Sequence, residues 1–76
     1  MTFFFGPNVQ KRMKERGITL GMIAEVMENP DEIYPDDEGQ IYKKAFSFPG
    51  RIMNLVCAID DTVEPVFIKT VYLEKI

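Results

Sequence analysis

The chain reads as an α+β domain in which two N-terminal helices pack on one face of an antiparallel sheet of three to four strands. Three observations lead there. Apolar residues recur at helical spacing up to Glu28, the period changes to two from Ile33 onward, and Gly, Pro and Asn punctuate the chain between these segments. At 76 residues there is room for a single domain, 1–76, with no internal repeat or linker.

Thr2 to Phe5 is short and aromatic, so it is expected to be a strand or a segment lying on the core. Gly6-Pro7 interrupts it, and Pro7 or Asn8 suits the start of a helix running to Arg16. Gly17 then fits the left-handed position beyond a helix end, with Arg16 beside it complementing the negative end of the helix dipole. Within this helix Val9 and Met13 form one row, while Asn8, Arg12 and Arg16 form another at i, i+4 and i+8. Thr19 is a suitable cap for a second helix, Leu20 to Glu28, whose Met22, Ile23, Val26 and Met27 repeat at helical spacing. Asn29 precedes Pro30 and is pushed out of the helical region, which ends the helix.

The remainder alternates as strands do. Gln40 to Phe48 places Tyr42, Lys44, Phe46 and Phe48 on one face and Ile41, Lys43, Ala45 and Ser47 on the other, before a Pro49-Gly50 turn. Ile52 to Ile59 is apolar on both faces, so it is expected to be a central strand with helices on one side and another cover, such as a partner, on the other. After a turn at Asp60 to Glu64, Val66 to Leu73 is expected to place Val66, Ile68, Thr70 and Tyr72 together, opposite Phe67, Lys69, Val71 and Leu73.

Composition excludes several functions. The longest strongly apolar run, Ile52 to Ile59, falls well short of the roughly 20 residues that span a bilayer, so a membrane protein is not expected. Cys57 is the only cysteine and there is no histidine. An internal disulfide framework is thus impossible, and metal binding or a cofactor is not expected. A reducing cytoplasm fits, and Met1 to Phe5 lacks the features of an export signal. The net charge of -3 argues against a generic nucleic-acid binder. The charges are nevertheless segregated: acids gather from Glu25 to Glu38 and at Asp60, Asp61 and Glu64, whereas Lys11, Arg12, Lys14 and Arg16 crowd the first helix.

No phosphate-binding glycine loop or nucleophile elbow is present. The groups able to do chemistry are the Asn8, Arg12, Arg16 row, the Lys43-Lys44 pair, and Lys69, Thr70 and Tyr72 on the last strand. Arginine binds phosphate bidentately, lysine supplies a point charge, and tyrosine can hydrogen-bond or stack on a base. On spacing alone the simpler reading is structural: Arg12 and Arg16 pair with Glu15 or the acidic cluster, and Tyr72 is a core residue with a wet hydroxyl.

The run from Asn8 to Thr19, with Arg12-Met13 and Arg16-Gly17-Ile18-Thr19, then Asn29-Pro30, then Thr70-Val71-Tyr72, resembles the prokaryotic family known as domain of unknown function 4258. That family is similar to the barnase, EndoU, colicin and RelE group of ribonuclease toxins. The resemblance implies a RelE-like fold, two N-terminal helices on a curved antiparallel sheet, and metal-independent cleavage or binding of RNA. It carries Arg12, Arg16, Thr70 and Tyr72 over from the family's motif; Lys43, Lys44 and Lys69 are added from their chemistry alone. In the implied scheme Arg12 stabilises charge on the phosphate, Lys43 with a lowered pKa accepts the ribose 2′-hydroxyl proton, and Tyr72 orients the substrate or protonates the leaving oxygen. Asn8, Arg16, Lys44, Lys69 and Thr70 would bind the substrate. RNA or the ribosome and a cognate antitoxin are the implied partners, and a chain this small would gain stability as a homodimer. Asn8 stands where the family has a histidine, so the usual acid/base is missing. The alternative is therefore a catalytically inactive protein-interaction module.

Overall fold

A computed structural model describes residues 3–76. Helix α1 spans Pro7–Arg16, with Pro7 in its first turn, where a missing N–H costs nothing. It stops at Gly17, which is left-handed (φ 67°), and the Ile18 N–H closes the end by donating to the Met13 carbonyl at 2.9 Å. Helix α2 spans Leu20–Glu28 and is capped by the Thr19 hydroxyl, which accepts from the Met22 N–H at 3.1 Å. Both helix spans match the sequence expectation. Neither helix is long and apolar enough to cross a membrane.

The sheet differs from the expected one. It has five strands: β1 (Phe3–Phe5), β2 (Glu32–Asp36), β3 (Gly39–Phe48), β4 (Arg51–Asp60) and β5 (Val66–Lys75). Their order is β1-β5-β4-β3-β2. Four strands meander antiparallel, but β1 runs parallel to β5, pairing Phe3 with Val66 and Phe5 with Ile68. The α+β class stands, whereas the three- to four-stranded antiparallel sheet and the RelE-like arrangement are corrected to a five-stranded mixed sheet. The physical reason is the N-terminal aromatic segment. Its apolar side chains cover the core margin, and its backbone finds partners by extending the sheet beside β5. Thr2, included in the expected N-terminal strand, lies outside the described residues. Pro35 sits in β2, an edge strand, where its missing N–H breaks no ladder.

One face of the sheet carries the core. Ile23, Val26 and Met27 of α2, Val9 of α1 and Ile18 of the interhelix turn meet Leu55, Cys57 and Ile59 of β4 and Ile68 and Val71 of β5. The partly buried Tyr42, Phe46 and Leu73 pack against them. The expected faces of β3 are observed, but those of β5 are broken by a bulge. Ala58 pairs with Thr70 and Ile59 pairs with Ile68, which leaves Lys69 without a counterpart. One extra residue shifts the alternation, so Val71 and Leu73 join Ile68 on the core side, contrary to the uninterrupted period of two.

The second face of β4 is also buried: Val56 is 0% exposed and Ala58 8%. Among the described residues no helix lies there, and the cover comes from within the sheet. Lys69 Nζ on β5 reaches Asp36 Oδ2 on β2 at 3.0 Å, although two strands intervene. In a flat sheet these strands would lie about 14 Å apart. The sheet therefore curls toward this face, and long side chains close over β4.

Candidate functional site

The residues singled out from the sequence fall into three places. Asn8, Arg12 and Arg16 line a groove of about 660 Å³ together with Lys11, Glu15, Lys69 and Thr70. Helix α1 supplies one wall, because residues three, four and seven apart share a face, and the bulged segment of β5 supplies the other. Arg12 and Arg16 stand one turn apart and are exposed. With Lys11 they take part in no ion pair among the described residues.

A second groove, of about 530 Å³, adjoins the first through Glu15 and Arg16 and adds Arg51, Met53 and Leu73. Together they form a channel lined by five cationic residues on helix and sheet, one carboxylate, and an apolar stretch of floor. Lys11, Glu15 and Arg51 were not singled out from the sequence. Lys11 and Glu15 were legible as helix neighbours of the arginine row. Arg51 was not, since only the β3–β4 hairpin turning at Pro49-Gly50 brings it to the end of α1.

Lys43 and Tyr72 lie elsewhere. Both are in register with Val56, on the sheet face away from the helices. Lys43 Nζ donates to Glu74 Oε1 at 2.9 Å and stands 5.2 Å from the centre of the Tyr34 ring. The Glu74 carboxylate, followed by Tyr34, raises the Lys43 pKa above the ordinary lysine range. That is the reverse of the lowered pKa that the implied general base requires. Lys69 is raised in the same sense, first by its hydrogen bond to Asp36. Its ammonium is committed across the sheet while the residue itself helps to wall the α1 groove.

Lys44 occupies the third place. Its ammonium donates to the Asn29 carbonyl at 2.9 Å and lies 3.7 Å from Asp31 Oδ1, so it fastens the end of α2 to β3. The structure thus brings Asn8, Arg12, Arg16, Lys69 and Thr70 together, and holds Lys43 with Tyr72, and Lys44, apart from them. Among the described residues no group of three His, Cys, Asp or Glu side chains is arranged to hold a metal ion.

Fold and groove define a small α+β domain with an arginine-lined channel between its first helix and its last strand. The domain of unknown function 4258 family covers residues 6–73 of this chain, which belongs to that family. No curated protein and no solved structure gives a match.

Proposed function

We propose that this domain binds RNA by its sugar-phosphate backbone along α1 and cleaves it in the manner of a metal-independent ribonuclease. The observation that carries the reading is the pair Arg12 and Arg16, exposed in one groove and free of ion pairs among the described residues. Planar guanidinium groups one helical turn apart offer successive bidentate donors to phosphate oxygens. Asn8 adds an amide, and Lys69 and Thr70 of β5 form the facing wall. Segregation of charge reconciles this with the net charge of -3, because the acids lie mainly in the segment from Glu25 to Glu38 and at Asp60, Asp61 and Glu64, outside α1.

In the reaction the ribose 2′-oxygen attacks the adjacent phosphorus, the bond to the 5′-oxygen breaks, and Arg12 stabilises the charge gathering on the phosphate oxygens. The scheme needs no metal. Purified protein incubated with single-stranded RNA in chelator tests it. Cleavage by wild type that is lost in Arg12→Ala, with an unchanged melting temperature, supports the proposal; intact RNA with wild type contradicts cleavage.

A second reading, a protein-interaction module, is favoured by one feature. Phe5, Met13, Ile18 and Leu20 line an apolar groove between the helices, and Leu20 is 57% exposed. A protein partner, such as a cognate antitoxin or a second copy, would bury it. Light scattering and co-purification distinguish this role from RNA cleavage.

A further inference from the structure

We infer that Glu15 is the proton acceptor of the α1 groove, an inference that rests on the RNA-cleaving reading above. The lining of the groove leads to it by chemistry. Arg12, Arg16, Lys11 and Lys69 are cations and Asn8 offers an amide, with Thr70 beside Lys69 in the facing wall. Glu15 is the one carboxylate among the described lining residues, and a carboxylate can take a proton from a ribose hydroxyl. Helical geometry centres it. It stands four residues from Lys11, three from Arg12 and seven from Asn8, so all four project on one face. It also borders the adjoining groove that holds Arg51, which places it where the two meet.

The other candidates lack this geometry. The Lys43 ammonium is engaged by Glu74 on the far face of the sheet, and the Lys69 ammonium is engaged by Asp36. Both ion pairs favour the protonated amine, which is a poor acceptor. Tyr72 shares the far face with Lys43.

The step balances. Glu15 removes the 2′-hydroxyl proton, the 2′-oxygen forms a bond to phosphorus, and the bond from phosphorus to the 5′-oxygen breaks. Water protonates the departing 5′-oxygen, and the hydroxide left behind takes the proton from Glu15. The products are a 2′,3′-cyclic phosphate and a 5′-hydroxyl.

The test compares wild type with Glu15→Gln on two probes. A cleavable single-stranded RNA, with product ends read by mass spectrometry, reports the chemistry. A 2′-O-methyl RNA of the same sequence, which has no proton to give, reports binding. Glu15→Gln is expected to lose cleavage by roughly 10²- to 10⁴-fold, the usual contribution of a general base. It should hold the 2′-O-methyl RNA at least as tightly as wild type, because a negative charge has left the groove. Circular dichroism on both proteins confirms the fold, and Glu15→Asp should recover part of the cleavage. Undiminished cleavage by Glu15→Gln overturns the assignment and leaves the RNA site intact. Wild type that binds the 2′-O-methyl RNA without cutting the cleavable one also overturns it, whereas absence of binding by wild type removes the RNA reading itself.

Discussion

Lys43 Nζ lies 2.9 Å from Glu74 Oε1, and the pair bridges β3 and β5 over the wholly buried Val56 of the strand between them. The lysine is 14% exposed and the glutamate 38%. The lysine stem therefore serves as cover as well as carrying charge. Glu74→Gln should lower the melting temperature slightly, since a half-exposed carboxylate is well solvated. Lys43→Ala should lower it by more, since it uncovers Val56. Equal effects would show that the contact is electrostatic only.

The same network sets a pH dependence. Glu74 is held below the ordinary carboxylate range first by Lys43, Asp36 first by the Asp37 backbone N–H and then by Lys69, and Asp60 first by the Thr62 hydroxyl. Groups with lowered pKa contribute stability that is present above their unfolded values and lost as pH falls through the native ones. Lys43 and Lys69 are raised, so their contribution is present below the unfolded value and lost as pH rises through the native one. Melting temperature should be flat from about pH 5 to about pH 8 and fall on either side, the alkaline fall beginning where the Cys57 thiol, pushed up to about 12 in the fold, ionises in the unfolded chain. Glu74→Gln should shrink both falls; an unaltered profile would contradict the assignment.

Gly39 begins β3 opposite Asp60 of β4, and a Cβ there would collide with the Ile59 carbonyl oxygen. The obstacle is backbone, which cannot rotate aside. Gly39→Ala should cost about 1–3 kcal/mol in chemical denaturation, as overpacking does. Gly21→Ala is the contrast, because its nearest neighbour is Thr19 Oγ1 at 3.8 Å within α2. It should stabilise by about 0.5–1 kcal/mol. Equal behaviour of the two variants would contradict the close approach.

Thr19 caps α2 through its hydroxyl. Thr19→Ala should destabilise by about 1 kcal/mol, a fall in melting temperature of about 4–8 °C for a domain of this size. Thr19→Ser should restore most of it. A neutral Thr19→Ala would mean that solvent satisfies the Met22 N–H equally well.

Cys57 is fully enclosed at the centre of β4, and burial pushes its thiol pKa up to about 12. A disulfide reagent at pH 8 should find no reactive thiol in the native protein and one equivalent after denaturation. Rapid native labelling would place Cys57 at an accessible surface.

Helix spans were legible because their signals are local: Pro7 and Gly17 bound α1, Thr19 and Asn29-Pro30 bound α2, and each acts within its own turn. The sheet was less so. That Phe3–Phe5 pairs parallel to β5 depends on contacts across the whole chain, and the bulge at Lys69 leaves no mark in a sequence that alternates through it. The site was divided in the same way. Asn8, Arg12 and Arg16 share a helix face by spacing alone. The separation of Lys43 and Lys44, neighbours in sequence, follows from the two faces of β3, and the partners that engage them, Glu74 and Asp31, are set by sheet curvature and by the α2 exit.

The measurement that tests the central claim most directly is the affinity of a 2′-O-methyl single-stranded RNA as a function of salt, for wild type, Arg12→Ala and Arg16→Ala. If α1 holds the phosphate backbone, the logarithm of the affinity falls linearly with the logarithm of salt. Each substitution should weaken binding and lower the slope by about 0.7, the share of one phosphate contact on a single strand. Binding without salt dependence, or slopes unchanged by either substitution, would contradict the α1 groove as the place where RNA is held.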